Sequence, residues 1–362
     1  MTKEFRKNIT GRGASSNAGN RFDKHSYEPT PEDFDNYQEE EQPRLQTEIL
    51  KDHSKTILTE NKSPDIGFRF SVNAYRGCEH GCAYCYARPT HEYLGYSAGL
   101  DFESKIFVKE NAPEQLRAAL MKKSWQPEPI AMSGVTDCYQ PLERKMELTK
   151  RCLEVLLEFR NPTWLITKNA LILRDLEIFK EMASYNGVAI MLSVTSLDAE
   201  LARDLEPRTS HPMARLKAVE TLAKAGIPVG VNVAPVIPGL TDHEMPAILK
   251  AAKDAGAVFA GYTPLRLPLS VAPLFSEWLE VHRPLKKEKV LSLIKDIRGG
   301  KLNDANFGSR MQGQGAVADN LAGMFDLYCR KFHLNEQRIR LSVDHFRRPP
   351  QSGEQMGFDF GE

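Results

Sequence analysis

Three of the chain's six cysteines, Cys78, Cys82 and Cys85, stand in C-x3-C-x2-C spacing within the stretch NAYRGCEHGCAYCY, residues 73–86. An odd group of thiols this close along the chain does not form a disulfide framework. Soft thiolates converge instead on zinc or on an iron–sulfur centre. A [4Fe–4S] cluster normally takes four cysteines, so a set of three leaves one iron open to a substrate or cofactor. Zinc is the second reading, with His80 or His91 as a fourth ligand, although neither matches a usual finger spacing. Gly77 and Gly81 flank the first two thiols, where a backbone wrapping a cluster needs tight turns. Amide groups of such a loop can also point at cluster sulfides and tune the potential.

The elements that must position these thiols are legible as a strand–helix alternation. Phe68, Phe70, Val72 and Ala74 alternate with polar residues and run straight into the cysteine loop. Further short, apolar, β-branched runs follow at 129–135, 163–168, 187–196, 228–237 and 257–265. Between them, helical spacing recurs at 144–159, 212–225 and 242–255, with Gly226 as a stop signal for the second. Strands alternating with helices predict a parallel sheet with right-handed crossovers, and in βα barrels chemistry gathers at the C-terminal ends of the strands. Those ends offer Thr136, Asp137, Lys168, Ser193, Thr195, Ser196, Glu206 and Arg208, with Asn232 inside the fifth run. A cationic amphipathic helix at 285–298, a Gly- and Asn-rich loop at 299–315, a helical stripe from Val317 to Tyr328 and a final strand RIRLSV follow. The expected division is a polar, flexible arm (1–53), a barrel (54–267), a helical cap (268–347) and a flexible tail (348–362).

The formal net charge of zero, from 48 basic and 48 acidic residues, lacks the global footprint of a strong nucleic-acid binder, though a local basic groove stays open. Residues 1–50 are too polar to offset their ordering entropy. A flap over the site is the alternative for them, because GRGASSNAGNRF sets arginines among glycines that could meet anionic groups. The N-terminus has no apolar secretory region, and no apolar run is long enough to span a bilayer. Unpaired cysteines fit a reducing cytoplasm.

The cysteine spacing, with Tyr84 just before the third cysteine, resembles the signature of the radical S-adenosylmethionine (radical SAM) superfamily. The segments NAYRGCEHGCAYCYARPTHEYL, VTDCYQPLE, ITK, LEPRTS and KAGIPVGVNVAPVIPG are similar to its spore-photoproduct-lyase-like branch, often labelled "DNA repair photolyase" although its members do not use light. The likeness covers about residues 65–348, and RGASSNAGNRF resembles a bacterial subgroup of that branch. It implies an α/β fold, a partial (βα)6 TIM-like barrel, in which the three cysteines hold a [4Fe–4S] cluster whose open iron binds SAM. Reductive cleavage of SAM then yields a 5′-deoxyadenosyl radical that abstracts hydrogen from substrate, with electrons from a donor such as flavodoxin or ferredoxin. It further implies that Tyr84, Thr136, Lys168 and Ser193 contact SAM, that the Ala234 backbone meets adenine, and that Tyr86 relays the radical.

Two departures stand out. The Gly-Gly-Glu segment of the superfamily is replaced by Ser133-Gly134 with Thr136-Asp137. The hydrogen-donating cysteine of the lyases aligns with Gly134, and the loop's own thiol is Cys138, four residues on. Cys138 is therefore a candidate donor, with a small buried thiol as the alternative. Thymine-photoproduct repair does not carry over, and the substrate is open between nucleic acid and a peptide or small molecule. A zinc-stabilised binding module without turnover is the reading from another class.

Overall fold

The computed structural model describes residues 11–17, 19–22 and 45–350. Six parallel strands form the scaffold: β1 (Phe70–Val72), β2 (Ile130–Met132), β3 (Thr163–Thr167), β4 (Val188–Ser193), β5 (Val229–Val236) and β6 (Phe259–Pro264). They pair in sequence order, each parallel to the next, and the antiparallel strand Leu58–Glu60 closes the β1 edge. This is the partial barrel expected from the alternation. Val72, Met132, Leu165, Ile190, Leu192, Val231 and Val233 are buried in its core, with helices such as Leu148–Glu158 and Met245–Asp254 packed outside. The helix Pro212–Lys224 starts at a proline and stops before Gly226, whose φ is 77°, as the sequence predicts.

Three expectations are corrected. The helix read over 144–159 is two, Glu143–Met146 and Leu148–Glu158, divided at Glu147 with φ 50°. The cause is the buried Glu143 carboxylate, which accepts from Thr149 N at 3.1 Å and so caps the second helix. RIRLSV is not a strand; Ser342 N to Asn186 O (3.0 Å) and Asn186 Nδ2 to Arg340 O (2.9 Å) tie the segment to one turn instead. The region read as an arm contributes a strand, Glu48–Lys51, to a second small sheet with Lys105–Val108 and Tyr75–Arg76. Residues 1–10, 18 and 23–44 of that arm and the tail from 351 lie outside the described residues.

After β6, helices Val271–His282, Lys287–Asp296 and Gly315–Lys331 follow. The first two pack Val271, Phe275, Trp278, Val290 and Ile294 into one cluster with Cys82, Ala83 and Tyr84, so this part of the cap rests on the cysteine loop itself.

Candidate active site

The cysteine loop leaves β1 at the C-terminal end of the barrel. Its first residues are held by Asn73, whose Oδ1 accepts from Val135 N (2.9 Å) and Thr136 N (3.4 Å), and by Thr136 Oγ1 donating to Tyr75 O at 3.1 Å. Cys78 N donates to Phe102 O (2.9 Å) and Ala83 N to Leu205 O (3.0 Å). Gly77 and Gly81 take positive φ, 81° and 66°, at the turns where the sequence predicts them. Cys78 and Cys82 are buried and Cys85 half-buried. Burial pushes all three thiols above their usual range, and for Cys78 the neighbouring Cys82 and Cys85 add to the push. Thiolates so placed need a cation beside them, which a metal centre supplies.

His80 is engaged at both ring nitrogens, whereas His91 is buried with neither ring nitrogen hydrogen-bonded among the described residues. His80 Nδ1 lies 3.4 Å from Asp137 Oδ2 and its Nε2 lies 3.3 Å from Asn169 Nδ2. His91 is packed among Tyr96, Phe102 and Phe107. Among the described residues no group of three or more His, Cys, Asp or Glu is arranged to hold a single metal ion. A cubane distributes its thiolates over separate irons, so the loop's three thiols suit a cluster with one open iron.

One polar network lies beside the loop, and Glu206 is its hub. The Glu206 carboxylate is fully buried and accepts from Tyr84 Oη, from Thr195 Oγ1 (2.6 Å) and from Arg215 Nη2 (2.5 Å), with Lys168 Nζ at 3.2 Å. Against the desolvation of full burial, Arg215 and Lys168 hold that carboxyl far below its usual range. Lys168 Nζ also donates to Ala234 O at 2.9 Å and stands 5.7 Å from the Tyr84 ring centre. Ser193 joins through its carbonyl, which accepts from Arg215 Nη1 at 2.9 Å. Against its own desolvation, Asp137 is held ionised by His80, by Thr167 Oγ1 (2.7 Å) and by Lys168 N (2.8 Å).

The structure thus gathers Tyr84, Lys168 and Ala234 directly and Ser193 through Arg215, whereas the Thr136 hydroxyl is spent on the root of the cysteine loop. Tyr86 lies apart from this network. Its hydroxyl donates to Gly134 O at 3.0 Å, and the Arg266 guanidinium stands 5.5 Å from its ring centre. Cys138 is buried in the apolar cluster that holds Tyr75, Tyr139 and Leu148, its N donating to Ser133 Oγ at 2.8 Å. That is the setting of a small core thiol. Glu206 as a hub and Arg215 as its partner were missed as a pair; the signal was the acidic residue of LEPRTS followed by an arginine nine positions later in the next helix.

The sequence model of the radical SAM superfamily matches residues 72–252, from β1 to the helix before β6. The chain belongs to that superfamily. As a radical SAM enzyme it uses a [4Fe–4S] cluster and SAM. It is 38% identical over 229 residues to an uncharacterised protein of Mycobacterium tuberculosis, covering 62% of this chain and 67% of that one. A protein of Methanocaldococcus jannaschii is 32% identical over 197 residues, covering 54% of this chain and 71% of its own length. Spore photoproduct lyase complexed with dinucleoside spore photoproduct shares the fold, with TM-score 0.57 and 16% identity over 78% of this chain and 79% of that one. Among the described residues no helix is long and apolar enough to cross a membrane.

Proposed function

We propose that this radical SAM enzyme holds its cluster on Cys78, Cys82 and Cys85, and that its substrate carries an anionic group, nucleic acid first. When bound, the cluster supplies the electron that cleaves SAM to methionine and a 5′-deoxyadenosyl radical, which abstracts hydrogen from the substrate. The chain's own residues position and shield. Lys168, anchored between Glu206 and the Ala234 carbonyl, presents a fixed cation to the SAM carboxylate. Tyr84, buried against Glu206 and Thr195, keeps the loop before the third cysteine dry. The Ala234 backbone and Ser193 complete the SAM pocket, and Thr136 fixes the loop that faces it.

The observation that carries the substrate class is Arg266. Arg208, Arg266, Arg310, Arg347 and Arg348 carry the charge to meet phosphates, and four of them are engaged elsewhere. Arg208 pairs with Glu79 (3.1 Å) and Arg310 with Asp65 (2.6 Å). Arg347 and Arg348 donate to the carbonyls of Glu158, Leu120, Lys122 and Trp125, in segments that lead into the opposite, N-terminal ends of the strands. Arg266 follows β6 at the mouth, half-buried, with the Tyr86 ring and Met311 Sδ (3.3 Å) as its contacts and no carboxylate within ion-pair distance among the described residues. A partly desolvated guanidinium is suited to bidentate recognition of phosphate or carboxylate. The dinucleoside bound by the structural relative favours nucleic acid over peptide. An electron donor such as flavodoxin or ferredoxin and a cytoplasmic setting complete the reading.

The test is anaerobic turnover with reductant and SAM, reading 5′-deoxyadenosine with and without a single-stranded DNA oligonucleotide or an acidic peptide. DNA accelerates its formation, and Arg266→Ala abolishes that acceleration. Acceleration by the peptide alone moves the substrate to the peptide class. A rate indifferent to both overturns the anionic-substrate reading.

A further inference from the structure

We propose that residues 11–17 form a built-in strap that fixes the cluster loop, with Arg12, Gly13 and Ala14 as positioning residues for the cluster cysteines. This rests on the cluster assignment above and goes beyond it, because no strap residue belongs to the ligand set or to the SAM network.

The strap acts through one buried ion pair. Gly13 N and Ala14 N donate to the two oxygens of Glu103, at 3.0 and 2.9 Å. Glu103 is fully buried and pairs with Arg88 at 2.5 Å, and Arg88 is itself fully buried. That guanidinium spends its other donors on backbone carbonyls, including Cys82 O from Nε (3.0 Å) and Nη2 (2.9 Å), and Gly81 O at 3.3 Å. Strap, Glu103, Arg88 and the Cys82 backbone are therefore one continuous hydrogen-bonded chain. Without the strap, two acceptor sites of a buried carboxylate lose their donors.

Arg12 closes the same chain from the other side. It is buried, and its Nη1 donates to Glu103 O at 2.6 Å, while its Nη2 reaches Leu45 O at 2.7 Å. Glu103 directly follows Phe102, whose carbonyl receives Cys78 N at 2.9 Å. The arginine expected to meet an anionic ligand instead ties two chain segments to the base of the cysteine loop.

Contact between strap and loop is backbone on backbone. A Cβ at Gly13 would lie 1.7 Å from Gly81 O, so no other residue fits without displacing one of the two. A Cβ at Gly99 would likewise lie 2.1 Å from Ser16 O. Asn17 then clips the far end, accepting from Asp101 N at 3.0 Å and donating to Asp101 Oδ1 at 3.2 Å. A segment seated this closely on the loop limits access of water and dioxygen to the thiols beneath it.

The experiment uses the full chain, reconstituted anaerobically, in four variants: Gly13→Val, Arg12→Ala, Arg12→Lys and, as a control, Gly19→Val, where a side chain meets nothing within 4 Å. Iron content, the EPR signal of the reduced cluster and the bleaching rate in air-saturated buffer are read, with circular dichroism reporting the fold. Gly13→Val and Arg12→Ala should bleach about tenfold faster, the factor expected when a buried hydrogen bond is lost. Their EPR line shape should also alter, Arg12→Lys should recover part of both effects, and Gly19→Val should match the parent. If Gly13→Val does not fold, Arg12→Ala decides, since it introduces no clash. Unchanged bleaching and line shape in Arg12→Ala, with the parent holding its cluster, overturn the strap alone. A parent that takes up no iron overturns the cluster assignment and the strap with it.

Discussion

The two sides of the barrel mouth are built on opposite principles. On the Glu206 side the charged groups meet partners within the protein: Lys168 and Arg215 share Glu206, and Asp137 accepts from Thr167 Oγ1 and Lys168 N. On the Tyr86 side, Arg266 rests on an aromatic ring and a thioether. A site that binds the same cofactor in every turnover gains from groups already held in place, because little reorganisation remains to be done on binding. A site for a substrate that comes and goes gains from a charge the substrate itself completes. Under the proposed function, the closed side is the one that holds SAM and the open side the one that meets the substrate.

The largest expected effect comes from breaking the closed side. Glu206→Ala leaves two cations beside an empty buried site, and a loss of about 3–5 kcal/mol is expected in denaturant unfolding, as for one partner removed from a buried pair. The sign with pH follows from the direction of its shift. The folded pKa is depressed, so Glu206 contributes in full above the unfolded carboxylate value of 4.5 and loses that contribution as pH falls through the lower folded value. Glu206→Gln should therefore lose stability at neutral pH and narrow its gap to the parent in acid. A gap that stays constant down the titration would show that Glu206 is not ionised as described.

Lys168→Ala comes next. It removes a charge-assisted contact worth about 1.5–3 kcal/mol, so SAM affinity should fall roughly 10- to 100-fold while the cluster spectrum stays intact. Equilibrium binding to the reconstituted protein measures this, and unchanged affinity would return Lys168 to the role of a partner for Glu206. On the open side, Arg266→Ala should cost only about 0.5–1 kcal/mol of stability, the worth of its contact with Tyr86. A loss as large as that of Glu206→Ala would erase the contrast between the two sides.

How much of this was legible in the sequence depended on how local the signal was. The three cluster cysteines lie within eight residues, and the six strands carry their own β-branched runs, so both could be read from short windows. Lys168 was placed by the rule that strand ends face the mouth and Ala234 by the family resemblance, and the structure joins them at 2.9 Å. The strap could not be read that way. Arg12 meets Glu103 across 91 positions, and a segment of Gly, Ala, Ser and Asn has the composition of a free arm. What orders it is a buried carboxylate far along the chain, to which composition is blind. RIRLSV failed for the converse reason, since its alternation is real but its backbone bonds go to the turn at Asn186 rather than to a strand.

Cys138 carries the smallest expected effect on the chemistry, and it separates chemistry from packing. A thiol is a good hydrogen-atom donor, and Cys138 follows β2 at the end of the barrel that bears the chemistry. Yet the lyase donor aligns with Gly134, where a Cβ would lie 3.0 Å from Ser71 Cβ, so a cysteine at that position would be crowded. Burial and the nearby Asp137 charge push the Cys138 thiol well above its usual pKa, and the residue packs with Tyr75 and Tyr139. Cys138→Ala should therefore cost about 1 kcal/mol of stability, as an ordinary core truncation does, and leave the chemistry alone. With SAM deuterated at the 5′ carbon and a substrate that accelerates cleavage, the yield and the return of label should match the parent. Tyr86→Phe is the contrasting variant, because it removes the hydroxyl that donates to Gly134 O beside the open side. If Cys138→Ala instead halves the yield or diverts label into by-products, the loop after β2 must move to bring the thiol out of its core. The closed side of the mouth would then be less rigid than its hydrogen bonds imply.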